Sequence, residues 1–275
     1  MAAIYIYTAS RYEAIIPTED PGHLLSMRKP VIAANWKMYK TPAQSQEFLK
    51  AFLPLVANHD RDNVLICPSA TSLSVVIAAA SGSNVQVGAQ NMHYADEGAF
   101  TGETSPVMLK AIGTTHIIVG HSERRQYFGE TDEIVNQKLH AAIRNQLTPI
   151  LCVGETLEER EAGKTNEVLL RQCQRAFKGV PPEVAEGFVV AYEPIWAVGT
   201  GKTATPEIAG LSHFVIRSEI SRLLGRKAAD SIRILYGGSV KPDNASALLN
   251  QPEIDGALVG GASLDPQSFA KIVKY

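Results

Sequence analysis

From Pro30 onward the chain repeats one pattern: a short apolar run, a Gly-rich or polar connection, then a helix-like amphipathic segment. The runs are VIAAN (31–35), VLICP (64–68), VQVGA (85–89), HIIVG (116–120), PILCV (149–153), FVVAY (188–192), IRILY (232–236) and GALVG (256–260). Their hydrophobicity is continuous rather than alternating, which marks strands buried on both faces, as in a parallel sheet covered by helices. TPAQSQEFLKAFLPLV, DEIVNQKLHAAIRNQ and TPEIAGLSHFVIRSEISRLL lie between runs and read as helices, with Thr or Asp at the start and Pro in the first turn of several. Eight strand–helix units in about 250 residues predict an α/β fold, a single (β/α)8 barrel over 27–275. An open doubly wound sheet shares the alternation but distributes its strand ends differently. Asn35 and Lys37, Asn91, His121, Glu155, Glu193, Gly237 to Ser239 and Gly260-Gly261 each follow the C-terminal end of a different run. A barrel gathers all such ends on one face, whereas an open sheet spreads them along a crevice.

Composition narrows the function. The chain has 275 residues, 45% of them hydrophobic, and a formal net charge of −2, so it carries neither the basic footprint of a nucleic-acid binder nor a polybasic stripe for a membrane surface. A small-molecule substrate is expected. No run reaches the roughly 18–20 apolar residues of a membrane span. Cys67, Cys152 and Cys173 form no C-x-x-C pair and cannot all be bridged, which fits a reducing cytoplasm and implies no metal site. Residues 1–26 have no basic start and no clean apolar stretch, and Glu13, Glu19 and Asp20 argue against a transit peptide. They read as an appended extension, either disordered or an overcalled start.

WAVGTGKTATP (196–206) resembles a nucleotide loop at first sight. A G-x-x-x-x-G-K-[ST] phosphate loop aligned on Gly201-Lys202-Thr203 requires glycine at position 196, which is Trp196. Gly199 to Ala204 also satisfies G-x-G-x-x-A, but it lies in the sixth unit and does not follow its strand directly. Two readings remain, a surface loop and a lid hinged at Pro194-Ile195-Trp196 and Lys202-Thr203-Ala204, with Gly199, Thr200 and Gly201 at its tip.

Five strand ends carry candidate chemistry. Glu193, directly ahead of that loop, reads either as a solvated carboxylate or as a general base whose basicity rises when a lid expels water. His121 lies between a strand end and the start of a short helix, whose N-terminus disfavours imidazolium. It is either structural or a neutral proton donor to a developing enolate. Lys37 in Asn35-Trp36-Lys37 is a surface charge, an oxyanion or phosphate partner, or a Schiff-base amine. Tyr236-Gly237-Gly238-Ser239 and Val259-Gly260-Gly261-Ala262 place paired glycines after the last two strands, where backbone N–H groups can approach an anion, aided by a helix dipole after Gly261. A small phosphorylated substrate is therefore expected.

From Met27 to Tyr275 the chain resembles the triosephosphate isomerase family in NWKM (35–38), GAFTGE (98–103), GHSERR (120–125), LCVGE (151–155), AYEPIWAVGTGKTAT (191–205), YGGSV (236–240) and VGGASL (259–264). The resemblance implies a TIM barrel that interconverts dihydroxyacetone phosphate and D-glyceraldehyde 3-phosphate through an enediolate, in glycolysis and gluconeogenesis, with no cofactor or metal. It implies Glu193 as base, His121 as electrophile, Lys37 and Asn35 as substrate ligands and Glu123 as support. Gly199, Ser239, Gly260 and Gly261 would hold the phosphate, and Trp196 with Gly199, Thr200, Gly201, Lys202 and Thr203 would form the lid. Phe100, Thr101, Gly102 and Glu103 would dock into the second subunit of a homodimer, within a 90–103 loop that is long for a βα connection and carries exposed apolar groups. Competing functions are a barrel epimerase or Schiff-base aldolase on another sugar phosphate, and a catalytically dead barrel scaffold. Ala34 stands where the family often has glycine, Gln146 replaces a common glycine before Leu-x-Pro, and residues 1–26 have no family counterpart.

Overall fold

The computed structural model describes residues 28–197 and 204–275. The expected extension at 1–26, Met27, and the expected lid residues Gly199, Thr200, Gly201, Lys202 and Thr203 lie outside the described residues. Eight strands form: β1 Val31–Asn35, β2 Asn63–Cys67, β3 Val85–Ala89, β4 His116–Val119, β5 Thr148–Val153, β6 Val189–Tyr192, β7 Arg233–Tyr236 and β8 Gly256–Val259. They pair in parallel in sequence order, and β8 returns to β1 to close a barrel. The open-sheet alternative is excluded.

Each apolar run coincides with a strand to within one residue at either end. The differences follow from pairing and turn geometry that a run of hydrophobic letters does not contain. Asn63 joins β2 because it pairs with Val31. Gly120 drops out of β4 because the chain leaves the strand there at φ 72°, a conformation that glycine adopts without steric cost.

Strand residues divide by the two-residue period of the pleat. Val31, Ala33, Leu65, Cys67, Ile118 and Ile150 belong to the cluster that fills the barrel interior. Ile32, Ala34, Val64 and Ile66 face outwards and pack with Phe48, Leu49 and Phe52 of the helix Pro42–Val56. Helix starts follow the expected cap chemistry. Thr41, Thr131 and Thr205 accept hydrogen bonds from the N–H groups of Gln44, Ile134 and Ile208, and Pro42 and Pro206 occupy first-turn positions where no intrahelical N–H is needed. Among the described residues no helix is long and apolar enough to cross a membrane.

The barrel end that carries the strand starts is closed by a buried ionic cluster. Asp255, just before β8, accepts from Arg28 Nε at 2.7 Å, from Arg217 Nη2 at 2.5 Å and from the Ile234 N–H at 2.8 Å. Conserving charge pairing there matters for stability, since an unpaired buried carboxylate is costly.

Gln146 occupies a backbone conformation that suits glycine. It links the helix Asp132–Arg144 to β5 at φ 53°, and its side chain is exposed. Relief of about 1–2 kcal/mol of left-handed strain, offset in part by the greater freedom of glycine in the unfolded chain, predicts that Gln146→Gly stabilises the fold by about 0.5–1 kcal/mol. Thermal or urea unfolding of the purified variant checks this, and a midpoint at or below that of the parent would contradict it.

Candidate active site

The C-terminal strand ends converge on a cavity of about 620 Å³ lined by Asn35, Lys37, His121, Glu193, Gly237 to Ser239, Gly260 and Gly261. The expected catalytic and substrate-binding residues among the described ones line it together, except Glu123, which lines an adjoining cavity with Gly102 and Glu103; Trp196, Phe100 and Thr101 line neither.

Glu193 follows β6 and is almost wholly buried, with 2% of its surface exposed. Its N–H donates to Val153 O at 2.8 Å, which continues the ladder one residue past the strand. The residue lines the cavity with both carboxylate oxygens already engaged. Oε1 lies 2.8 Å from His121 Nε2, and Oε2 accepts from the Ser122 N–H at 2.8 Å. Burial pushes this carboxyl up, but the imidazole and the two groups of Ser122 outweigh burial and hold it below the ordinary carboxylate range.

His121 caps the helix Ser122–Phe128, and its Nδ1 accepts from the Glu123 N–H at 3.2 Å. An Nδ1 that accepts carries no proton, so Nε2 carries it and donates to Glu193. Burial pushes the imidazolium down, and the Glu193 carboxylate beside it pushes it up further, so the net direction is upward while the two remain in contact. Glu123 also pushes it up, and Lys37 pushes it down. The helix N-terminus alone predicts only the downward half of this balance.

Lys37 is reached through two hydrogen bonds of its neighbours. Its N–H donates to Asn35 Oδ1 at 3.0 Å, and its ammonium donates to Glu123 Oε1 at 2.6 Å. Gly260 lies across the mouth, where an added Cβ would meet Lys37 Cε at 3.5 Å. The element after Gly261 is a short 3-10 turn, Gly261–Leu264, rather than the helix expected there. An anion at that turn would be held by individual N–H groups more than by a long dipole.

At the expected first hinge, Ile195–Ala197 forms a 3-10 turn. Trp196 Nε1 donates to Glu155 Oε1 at 2.9 Å, Tyr192 Oη donates to the same oxygen at 3.1 Å, and the Arg160 guanidinium lies 4.2 Å above the indole. At the expected second hinge the Ala204 N–H donates to Tyr236 Oη at 3.3 Å.

The loop with Phe100, Thr101, Gly102 and Glu103 differs from expectation in one respect. Phe100 is its one large exposed apolar residue; Met92 is buried, because the loop folds back through a His93 N–H to Thr104 O bond of 2.8 Å. The exposed apolar surface lies on flanking segments instead, with Met38 at 94%, Met108 at 57% and Phe128 at 67% exposure.

Two further residues shape the site. Ser122 holds Glu193 through its backbone N–H, which no residue letter announces, and its hydroxyl adds to the same effect. Gly154 allows the chain of β5 to approach Glu193 so closely that an added Cβ would sit 1.8 Å from the Glu193 carbonyl oxygen. Gln172 clamps this peptide from the far side, accepting from the Gly154 N–H at 2.8 Å and donating to Gly154 O at 3.2 Å. Gly154→Ala should displace Glu193 and lower kcat/KM by about 100-fold, as misplacement near 1 Å does. Steady-state kinetics with circular dichroism as a folding control tests this; unchanged kinetics would show that the close approach does not position Glu193.

The profile of the triosephosphate isomerase family matches residues 30–275. Curated relatives named triosephosphate isomerase include those of Solibacter usitatus, 56% identical over 90% of this chain and 100% of its own, and Carboxydothermus hydrogenoformans, 54% identical over 90% and 99%. The relative from Caldanaerobacter subterraneus is 51% identical over 90% of this chain and 100% of its own.

Proposed function

The chain belongs to the triosephosphate isomerase family and interconverts dihydroxyacetone phosphate and D-glyceraldehyde 3-phosphate, with the glycolytic role of that family; on that premise we propose how its own residues perform the reaction. The catalytic unit is the barrel, residues 27–275. Glu193 removes a proton from the carbon next to the substrate carbonyl, which gives an enediolate, and the neutral His121 donates its Nε2 proton to the enediolate oxygen, which gives an enediol and leaves the ring as imidazolate. His121 then recovers a proton from the neighbouring hydroxyl, and Glu193 returns its proton to the other carbon. One hydrogen has moved between two carbons, and enzyme and cofactor-free site are as they began. A neutral histidine electrophile and a closing loop are features for which this family is the standard example.

The observation that carries the assignment is the 2.8 Å contact between His121 Nε2 and Glu193 Oε1 in a buried pocket. Two groups that exchange protons with adjacent substrate atoms must themselves be neighbours. Substrate has to separate them, since Glu193 occupies the proton that His121 must present. Once the carboxylate turns away, only Glu123 still pushes His121 upward, and burial, the largest influence, together with Lys37 disfavours imidazolium. The ring meets the substrate in its neutral form by that balance. Lys37 and Asn35 bind the oxygen side of the substrate and stabilise the enediolate, with Glu123 holding the ammonium. N–H groups of Gly199, Ser239, Gly260 and Gly261 hold the phosphate.

Glu193→Asp withdraws the carboxylate by one methylene, and kcat should fall by about 100-fold or more while KM moves little, because the loss lies in proton transfer. A coupled assay of glyceraldehyde 3-phosphate turnover measures both constants. A variant with parental kcat would remove Glu193 from the role of base, and no turnover by the parent enzyme would leave a binding scaffold.

Trp196 and Gly199 to Thr203 form a lid that keeps water from the enediolate, whose phosphate is placed to leave by elimination. Deleting Val198 to Gly201 should preserve the barrel, lower isomerisation at least about 100-fold, and raise the share of substrate lost as methylglyoxal and inorganic phosphate, since the lid acts mostly in the transition state. An unchanged methylglyoxal share would overturn this role.

The active form is a homodimer in the cytoplasm, where three free, buried thiols suit reducing conditions. A second cavity of about 470 Å³ shares Asn35, Lys37 and His121 with the first and opens between Met38 and Phe128. Phe100 to Glu103 of a partner fits there, with Thr101 directed at Asn35 and Lys37. Sedimentation at decreasing concentration should show activity falling as the dimer dissociates; a fully active monomer would reject the assignment.

A further inference from the structure

Lys37 holds φ at 52°, in the left-handed region that a residue with a Cβ seldom occupies. Such a conformation persists only where surrounding contacts over-determine it. The N–H side of Lys37 is tied to Asn35 Oδ1. The carbonyl side is tied to Gln90, whose Nε2 donates to Lys37 O at 2.9 Å and to Cys67 O at 2.9 Å. Gln90 follows β3, and Cys67 ends β2. Cys67 O also accepts from the Trp36 N–H at 3.1 Å, so the same carbonyl fixes the residue before Lys37. One primary amide therefore bridges the outgoing ends of two strands from a third. Two carbonyl acceptors on one nitrogen need two N–H protons on it, which a carboxylate or a hydroxyl cannot supply. A lysine or arginine could donate, but would bring a second positive charge beside Lys37.

We propose that Gln90 is a positioning residue for the isomerisation: by bridging Lys37 O and Cys67 O it locks the Lys37 backbone in its left-handed conformation and so aims the ammonium into the substrate cavity. This rests on the reading of Lys37 as a substrate ligand. Without the bridge the backbone relaxes towards negative φ, Cα–Cβ swings away, and the ammonium loses its aim although the residue is still present. Gln90 lines the second cavity and not the substrate cavity, so its effect on substrate passes through Lys37.

The test is a double-mutant cycle with Gln90→Glu, Lys37→Ala and the double variant. Glu is close to isosteric with Gln, so packing is kept while both donors become acceptors facing carbonyl oxygens. Gln90→Glu should raise KM and lower kcat/KM by roughly tenfold or more, and weaken calorimetric binding of glycerol 3-phosphate, a substrate analogue with no carbonyl to isomerise, by a similar factor. Gln90→Leu, which removes the donors without adding charge, should shift both quantities in the same direction and covers a failure of the Glu variant to fold. In the Lys37→Ala background the Gln90 substitution should change analogue affinity by less than about twofold, because the group it positions is gone. Parental kinetics and affinity in both Gln90 variants would overturn the proposal. So would losses that multiply in the double variant, which would make Gln90 a structural residue acting independently of Lys37. Parental analogue affinity and turnover in Lys37→Ala alone would instead remove the role of Lys37, a separate failure read from its own arm.

Discussion

Val31, Ile32, Ala33 and Ala34 pair with Gly256, Ala257, Leu258 and Val259, and this last seam leaves no strand of the barrel with a free edge. Closure also sets direction. Eight parallel strands joined in a ring bring every C-terminal end to one mouth, so Asn35, His121, Glu193 and Gly260, spread over more than 220 positions of chain, become neighbours. Without the β8–β1 seam the same strands would make a twisted open sheet, and β1 and β8, which carry Lys37 and Gly260, would lie at opposite edges. The opposite mouth is held by Asp255 between Arg28 and Arg217, so one end of the barrel is stabilised by satisfied charges while the other keeps unlike charges available for chemistry.

At the chemical end, position is maintained by backbone as much as by side chains. Glu193 is held by the Ser122 N–H, Lys37 by Asn35 and Gln90 at its two peptide groups, and His121 by the Glu123 N–H at a helix start. The Ser122 and Glu123 N–H groups do not rotate away on side-chain torsions, so Glu193 and His121 are pre-organised by backbone before substrate arrives. The cost appears as local strain and crowding, in the left-handed Lys37 and the absence of any room for a Cβ at Gly154. The Glu193–His121 contact is the one arrangement that substrate must break, and it links the protonation of base and electrophile until then.

Much of the fold was legible because its signal is local. An uninterrupted run such as ILCV needs apolar cover on both faces, and a Thr-Pro pair at 41–42 or 205–206 ends one element and begins another by its own cap and φ restriction. The residue types at the strand ends were equally legible: a carboxylate before a Gly-rich loop, a histidine at a helix start, paired glycines after the last strands. What escaped was relational. Ser122 acts through an N–H that every residue other than proline has, Gly154 matters because a strand distant in sequence passes it, and Gln90 reads as an ordinary loop residue until the carbonyls of Lys37 and Cys67 are in place. Of the apolar surface expected on the 90–103 loop, Phe100 is exposed but Met92 is covered, and hydrophobic letters do not say which of them the chain folds back to cover.

The sequence by itself determined that this chain forms eight strand–helix units and ends its strands in acid, base, cation and phosphate-binding glycines, because periodicity, capping and residue chemistry act over a few neighbouring positions. Only the tertiary structure decided that the sheet closes, that Glu193 rests against His121 and Ser122, that Lys37 is bent into a left-handed conformation between Asn35 and Gln90, and that His121 is pulled upward by its carboxylate partner rather than simply lowered by its helix. Each of these depends on distances of a few ångströms between segments tens of residues apart, and hydrogen bonding and electrostatics at that range are set by packing, which no local stretch of chain encodes.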